Sequence, residues 1–280
     1  MEQGTLYLVA TPIGNLGDIS SRAATILTQA DFIAAEDTRV TRKLLTHLDI
    51  KKPLISYYEH NRRESGGKIL ARIQAGETCA LVTDAGTPGI SDPGEDLARL
   101  CIDAGIDVIA APGPCAAVAA LTLSGLPAGR FTFEGFLSTA AKSRFERLNE
   151  LKSEKRTMIF FEAPHRLERT LNDMLTTFGD RRVSISRELT KIHEETLRCS
   201  LSEAIAHFGS VPPRGEFVLV IEGAIDVRDH EAEMKRAVAS ANAYISAGLS
   251  VKDAVKKAAA ETGAPKNTLY KAVINLIQAL

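Results

Sequence analysis

Several stretches of this 280-residue chain carry residues whose types and spacing could do chemistry. CALVTDAGTPGISDPG (79–94) is an apolar run, Cys79 to Val82, that ends in the carboxylate Asp84 and then in a loop with Gly86, Pro88, Gly89, Pro93 and Gly94. A loop of this kind at the carboxyl end of a parallel strand is where open α/β sheets bind ligands. Its glycines let backbone come close to a ligand, and its prolines hold the loop in one shape. An ordinary strand–turn–helix connection has the same look, with Asp92 as N-cap, Pro93 at the first helical position and Glu95 in the first turn. ATPIGNLGD (10–18) also follows a strand, but its glycine spacing is not the G-x-G-x-x-G of a dinucleotide site. AEDTR (35–39), APGPCAA (111–117), FEAPHR (161–166) and SRELTK (186–191) place further polar or Pro/Gly chemistry at strand ends.

The elements that must position these loops follow from periodicity. Apolar runs predict strands over 4–11, 32–35, 54–57, 79–82 and 106–111, alternating with helices over 22–29, 40–48, 61–75, 95–104 and 116–124. That alternation argues for a mostly parallel sheet with helices on its faces. GLPAG (125–129) reads as a linker. Beyond it, strands over 131–136, 157–161, 183–186, 195–200 and 216–222 surround helices over 142–156, 164–177 and 201–208. The last strands lack long helices between them, which predicts a mixed or antiparallel sheet in a second α/β domain. After Gly223 the chain turns Ala- and Lys-rich, with helices over 231–246, 251–261 and about 266–279. A turn at Thr262-Gly263-Ala264-Pro265 gives the last two a helix-turn-helix pattern offering Lys266, Asn267, Thr268, Tyr270 and Lys271; a helical cap or dimerisation element fits the same pattern. The expected domains are 1–124, 125–226 and 227–280.

Composition narrows the classes. With 45% hydrophobic and 25% charged residues, the chain has the make-up of a soluble globular protein. A net charge of −1 by itself argues against a nucleic-acid binder, although residues 231–280 hold seven Lys/Arg against four Asp/Glu. The opening MEQGTLYLVATPIGN has no basic start and no long apolar core, so no signal peptide is expected, and no run of ~18 apolar residues predicts a membrane span. Cys79, Cys101, Cys115 and Cys199 show no CxxC spacing, and no HExxH occurs. Reduced thiols, no metal and a cytoplasmic location are the expectation.

In their order, over about residues 4–224, these loops together with RGEFVLVIEG (214–223) resemble the tetrapyrrole methylase family of S-adenosylmethionine-dependent methyltransferases. AEDTR, SYYEHN (56–61), FFEAPHRL (160–167) and SRELTK, with the helical tail, resemble its branch acting on small-subunit ribosomal RNA. The resemblance implies two α/β domains of the tetrapyrrole methylase type with a cleft between them, plus a small C-terminal helix-turn-helix-like domain. It also implies S-adenosyl-L-methionine folded in the cleft, a homodimer, and 2′-O-methylation of a cytidine ribose in the decoding region of 16S rRNA on the 30S subunit. Cofactor contacts are implied for Thr11, Pro12, Asp84, Ala85, Gly86, Ile90, Ser91, Cys115, Ala116, Phe161, Glu216 and Phe217. Cys115 stands where a small Ser is common in relatives, and Phe161 and Phe217 also read as strand core.

A ribose hydroxyl is a poor nucleophile that a positioned base helps. Glu36, Asp37, Glu59, His60, Glu162, His165, Glu188 and Lys191 are the candidates. Arg39, Arg166 and Arg187 suit phosphate or carboxylate contacts, because guanidinium stays protonated. We place His60, Glu162 and Arg187 near the acceptor ribose. Helix 142–156, with six Lys/Arg against three Asp/Glu, and the basic tail are the expected RNA contacts. The rival readings are a methylase of a small tetrapyrrole-like molecule, which needs no basic tail, and a non-catalytic nucleic-acid-binding regulator.

Overall fold

The computed structural model describes residues 4–224 and 230–278, in two compact units, Met1–Ala224 and Ile225–Leu280. In the first unit β1 (Thr5–Val9), β2 (Phe32–Ala35), β3 (Leu54–Ser56), β4 (Cys79–Val82) and β5 (Asp107–Ala111) form a parallel sheet in the order β3-β2-β4-β1-β5. Helices α1 (Ser21–Gln29) and α2 (Thr38–His47) pack Ile26, Leu27 and Leu45 on one face; α3 (Arg62–Gln74) and α4 (Glu95–Asp103) pack Ile69, Ile73 and Leu97 on the other. Burial on both faces is why FIAA and CALV are continuous apolar runs and do not alternate.

The second sheet comprises β6 (Phe131–Phe136), β7 (Thr157–Glu162), β8 (Arg182–Arg187), β9 (Glu195–Ser200) and β10 (Phe217–Ile221), in the order β6-β7-β10-β8-β9. Its β6–β7 pair is parallel and the other pairs are antiparallel, the mixed sheet that the short connections predict. Helix α5 (Ala116–Ser124) lays Ala117, Ala120 and Leu121 against Ile159, Val218 and Val220 of this sheet. Helices α6 (Ala141–Leu151), α7 (Pro164–Phe178) and α8 (Leu201–Ser210) cover the opposite face. The second unit is a bundle of α9 (His230–Ser246), α10 (Val251–Thr262) and α11 (Lys266–Gln278) around Ala237, Ala241, Val255, Leu269 and Val273. Gly263, at φ 78°, ends α10 in the left-handed conformation typical of a helix C-terminus.

Helix α6 departs from its expected span. It stops at Leu151, and the stretch from Lys152 to Arg156 leads into β7. Its cations are mostly paired within the domain. Arg144 is buried, donating from Nε to Asp173 Oδ2 at 2.6 Å and from Nη1 to the Ser138 and Thr139 carbonyls at 3.1 Å. Arg147 bonds Glu134 and Glu150, and Arg156 bonds Glu154. Removing one partner of a buried pair leaves the other charge uncompensated. Arg144→Ala is therefore expected to lower the unfolding free energy by about 3–5 kcal/mol in urea titration at pH 7. Lys142→Ala, at an exposed site on the same helix, should shift it by less than about 0.5 kcal/mol.

Candidate active site

Three loops leave the carboxyl ends of the adjacent strands β4, β1 and β5, and hydrogen bonds fasten them together. Thr11 N donates to Gly86 O at 2.8 Å and Gly86 N donates to Thr11 O at 3.0 Å, an antiparallel bridge just past two parallel strands. Thr87 Oγ1 donates to Pro114 O at 3.0 Å, tying the β4 loop to the β5 loop. From the second sheet come the ends of β6, β7, β8 and β10 and the connection after β8. A Cβ added at Gly14 would lie 2.6 Å from Lys191 Cγ and 2.8 Å from the Leu189 carbonyl, so the loop after β1 abuts the β8–β9 connection. Glu188 (φ 51°) and Thr190 (φ 66°) in that connection hold left-handed conformations that side chains rarely adopt, a form of strain that clusters at functional sites.

Between these loops lies a cavity of about 330 Å³. Its apolar wall includes Ile13, Phe136, Phe161, Phe217 and Val218. Phe161 meets Phe133 and Phe136 edge to face, at 5.1 and 5.6 Å between centroids. Phe136 stands at the mouth, 53% exposed, beside a bulge in β6. The charged wall is one-sided: among the described residues Glu36, Asp84, Asp92, Glu188 and Glu216 face one cation, Lys191, whose Nζ is 2.9 Å from Glu188 Oε1. Burial pushes the Asp92 carboxyl up to about 7, with the charges of Glu36, Asp84 and Glu216 adding to it. Burial likewise raises Glu36 and Asp84, although Asp84 accepts a 3.0 Å bond from Asp37 N that opposes the shift. Carboxylates crowded this way favour a cationic ligand and disfavour a polyphosphate.

Of the residues proposed for the cofactor, Asp84, Ala85, Gly86, Ile90, Ser91, Cys115, Ala116, Phe161, Glu216 and Phe217 line this cavity. Thr11 and Pro12 are not in its wall: Thr11 is buried, and its hydroxyl donates to Thr83 O at 3.2 Å. The structure does not bring His60, Glu162 and Arg187 together. His60 is exposed beyond β3, edge-on to Tyr58, at the outer edge of the first sheet. Arg187 bonds Glu195 Oε2 at 2.7 Å. Glu162 is buried and its oxygens are committed, accepting from Thr170 Oγ1 at 2.5 Å and Ala163 N at 2.9 Å, with Arg166 Nε at 3.2 Å. That geometry corrects its placement as a free base. Successive strand residues face opposite ways, so with Phe161 in the cavity wall Glu162 turns toward α7.

Sequence reasoning missed Asp92 as a site residue because Asp-Pro-Gly-Glu has the look of a helix cap. The helix in fact begins at Glu95, with Gly94 at φ 150° as its N-cap, which leaves Asp92 in the cavity wall. Phe136 carried no signal beyond its strand pattern, whereas Ser186 opens the SRELTK motif. Glu36, Glu188 and Lys191, from the wider set of candidate bases, do line the cavity.

A parallel sheet and a mixed sheet joined in this way, with a cavity at their facing ends, define the tetrapyrrole methylase class. Residues 5–205 match the family model for Tetrapyrrole (Corrin/Porphyrin) Methylases, and residues 231–276 match the RsmI C-terminal HTH domain. The chain belongs to this methylase family, and within it to the ribosomal RNA small subunit methyltransferase I group. It is 48% identical over 274 residues to "Ribosomal RNA small subunit methyltransferase I" of Synechocystis sp., covering 98% of each chain. It is 44% identical to the Bacillus subtilis protein of the same name, over 97% of this chain and 94% of that one. Among solved structures, uroporphyrin-III C-methyltransferase from Thermus thermophilus, complexed with S-adenosyl homocysteine, shares the fold at a TM-score of 0.55 and 18% identity, over 78% of this chain and 97% of that one. Among the described residues no helix is long and apolar enough to cross a membrane, and no cluster of His, Cys, Asp and Glu is arranged to hold a metal.

The raised Asp92 pKa predicts a pH signature. The folded chain holds this proton up to about pH 7, whereas the unfolded chain releases it near the ordinary Asp value of 3.8. The folded state therefore binds more protons in between, and Asp92 makes stability fall as pH rises from about 4 to 7. Asp92→Asn should gain melting temperature relative to the wild type across that range and hold the gain at pH 8. A difference identical at pH 5 and pH 8 would show that Asp92 titrates normally.

Proposed function

We propose that this chain methylates the 2′ oxygen of a cytidine ribose in the decoding region of 16S rRNA, using S-adenosyl-L-methionine and acting on the small ribosomal subunit as a homodimer. The observation that carries this reading is the carboxylate excess in an aromatic-walled cavity between the sheets. S-adenosylmethionine supplies an electrophilic methyl group on a sulfonium, and it also bears an ammonium. Glu36, Asp84, Asp92 and Glu216 suit those positive charges, and Phe161, Phe136 and Ile90 suit an apolar body with a dehydrated cation. Cys115 and Ala116, at the start of α5, and the backbone of Asp84 to Gly86 complete the fit. The names of the full-length relatives support RNA of the small subunit as the acceptor class.

The residues of this chain align the acceptor, exclude water and accept a proton. Alignment alone can supply about 7–11 kcal/mol of a barrier. His60 and Arg187 stand outside the cavity wall, on the first and second sheets respectively.

The test is tritium transfer from labelled S-adenosylmethionine to 30S subunits and to naked 16S rRNA from cells lacking the modification, followed by digestion to locate the label. Label on a ribose 2′ oxygen in particles is the expected result. Label on a base, or none despite cofactor binding, overturns the acceptor. Alanine at His60 or Arg187 is expected to slow single-turnover transfer about tenfold, roughly 1.4 kcal/mol, with S-adenosylhomocysteine affinity unchanged. Glu162→Ala should instead lower the unfolding midpoint. Light scattering at twice the chain mass is the expected dimer signal.

A further inference from the structure

The strongest concentration of positive charge lies neither on α6 nor in the tail. Residues 38–63, TRVTRKLLTHLDIKKPLISYYEHNRR, hold seven Lys/Arg against Asp49 and Glu59 alone, in a chain whose net charge is −1. Helix α2 sorts this charge by face. Thr41, Leu44 and Leu45 are buried, while Arg39, Arg42, Lys43, Thr46 and His47 are exposed at spacings that share one side of a helix. At 1.5 Å per residue the stripe runs for about 12 Å. It begins at the cavity, because Asp37, the N-cap of α2, donates its N–H to Asp84 Oδ1 and follows Glu36 of the cavity wall. It ends in a groove of about 510 Å³ between the end of α2 and the connection to β3, where Arg42, Lys51 and Lys52 converge with Thr46.

Among the described residues no carboxylate lines that groove. Arg42, Lys43, Lys51 and Lys52 have no ion-pair partner among the described residues, in contrast to Arg144, Arg147 and Arg156 around α6. Arg39, at the cavity end, is paired with Asp37 at 2.6 Å. Unpaired cations gathered around one concavity, an arginine fork among them, match the oxygens of a phosphodiester.

We infer that the groove lined by Arg42, Lys51 and Lys52 binds the phosphodiester backbone of the RNA substrate, holding it at one end of α2 while the target nucleotide enters the cavity at the other. This rests on the RNA acceptor proposed above. Backbone contacts of this kind set register and orientation and carry no sequence information.

The experiment compares the full-length wild type, an Arg42→Gln/Lys51→Gln/Lys52→Gln variant and a control with Lys142→Gln on α6 and Lys152→Gln just after it. Affinity for naked 16S rRNA and for 30S subunits is measured by filter binding across about 50–200 mM salt. S-adenosylhomocysteine titration and the unfolding midpoint verify that each protein is folded with its cavity intact. The groove variant should bind rRNA at least about tenfold more weakly at the low-salt end, with a salt slope shallower by about 2. The control should match the wild type. A groove variant with wild-type affinity and slope overturns the inference, as does an equal loss in the control. Wild-type transfer to 30S subunits with an unaffected groove variant removes this inference alone. An altered slope without any methyl transfer removes the proposed reaction and leaves the groove standing. No wild-type affinity for rRNA or for 30S subunits removes the groove together with the acceptor.

Discussion

The paired hydrogen bonds between Thr11 and Gly86 are the constraint on which the cavity depends. Parallel strands stop exchanging bonds where their ladders end, and loops leaving them are otherwise free to diverge. Here β1 and β4 are clasped once more beyond the sheet, and the Thr87 hydroxyl extends the clasp to the β5 loop. Three loops become one wall. The close approach at Gly14 then presses that wall against the connection after β8, so the second sheet closes a cavity whose first side is already set. Left-handed Glu188 and Thr190 in that connection are tolerated because the surrounding contacts over-determine them.

Charge is distributed with the same economy of place. A chain that sums to −1 gathers carboxylates in the cavity and cations along α2. The two regions meet at Asp37, which caps α2, pairs with Arg39 and bonds Asp84. An acidic interior suits a small cation, and a basic exterior suits a polyanion.

The second sheet divides its labour by strand alternation. On β7, Ile159 and Phe161 face α5 and the cavity, whereas Phe160 and Glu162 face α6 and α7. Glu162 therefore serves the start of α7 through Thr170 and Arg166, however catalytic its sequence neighbourhood looks. Arg144 has a comparable fate: in a helix rich in cations it is buried against Asp173 and holds the turn before α6.

The sequence by itself determined the kinds of elements, their order and the loops that carry polar chemistry. Those are local properties: FIAA and CALV are short apolar runs bounded by polar or glycine-rich turns, the pattern of strands buried on both faces, and Gly263 suits the left-handed end of a helix. The glycine and proline loop after β4 likewise announced a backbone surface for a ligand, and most of the residues named from it do face the cavity. What only the tertiary structure decided were relations between distant residues. Asp92 became a cavity carboxylate because Gly94, and no side chain, caps α4. Helix α5, continuous in sequence with the first sheet, packs on the second because its small apolar face matches Ile159, Val218 and Val220. Arg42 and Lys51–Lys52 face one groove only because β3 returns beside the end of α2. Pairing, burial and shared concavity depend on which surfaces meet, and periodicity along one chain does not encode that meeting residue by residue.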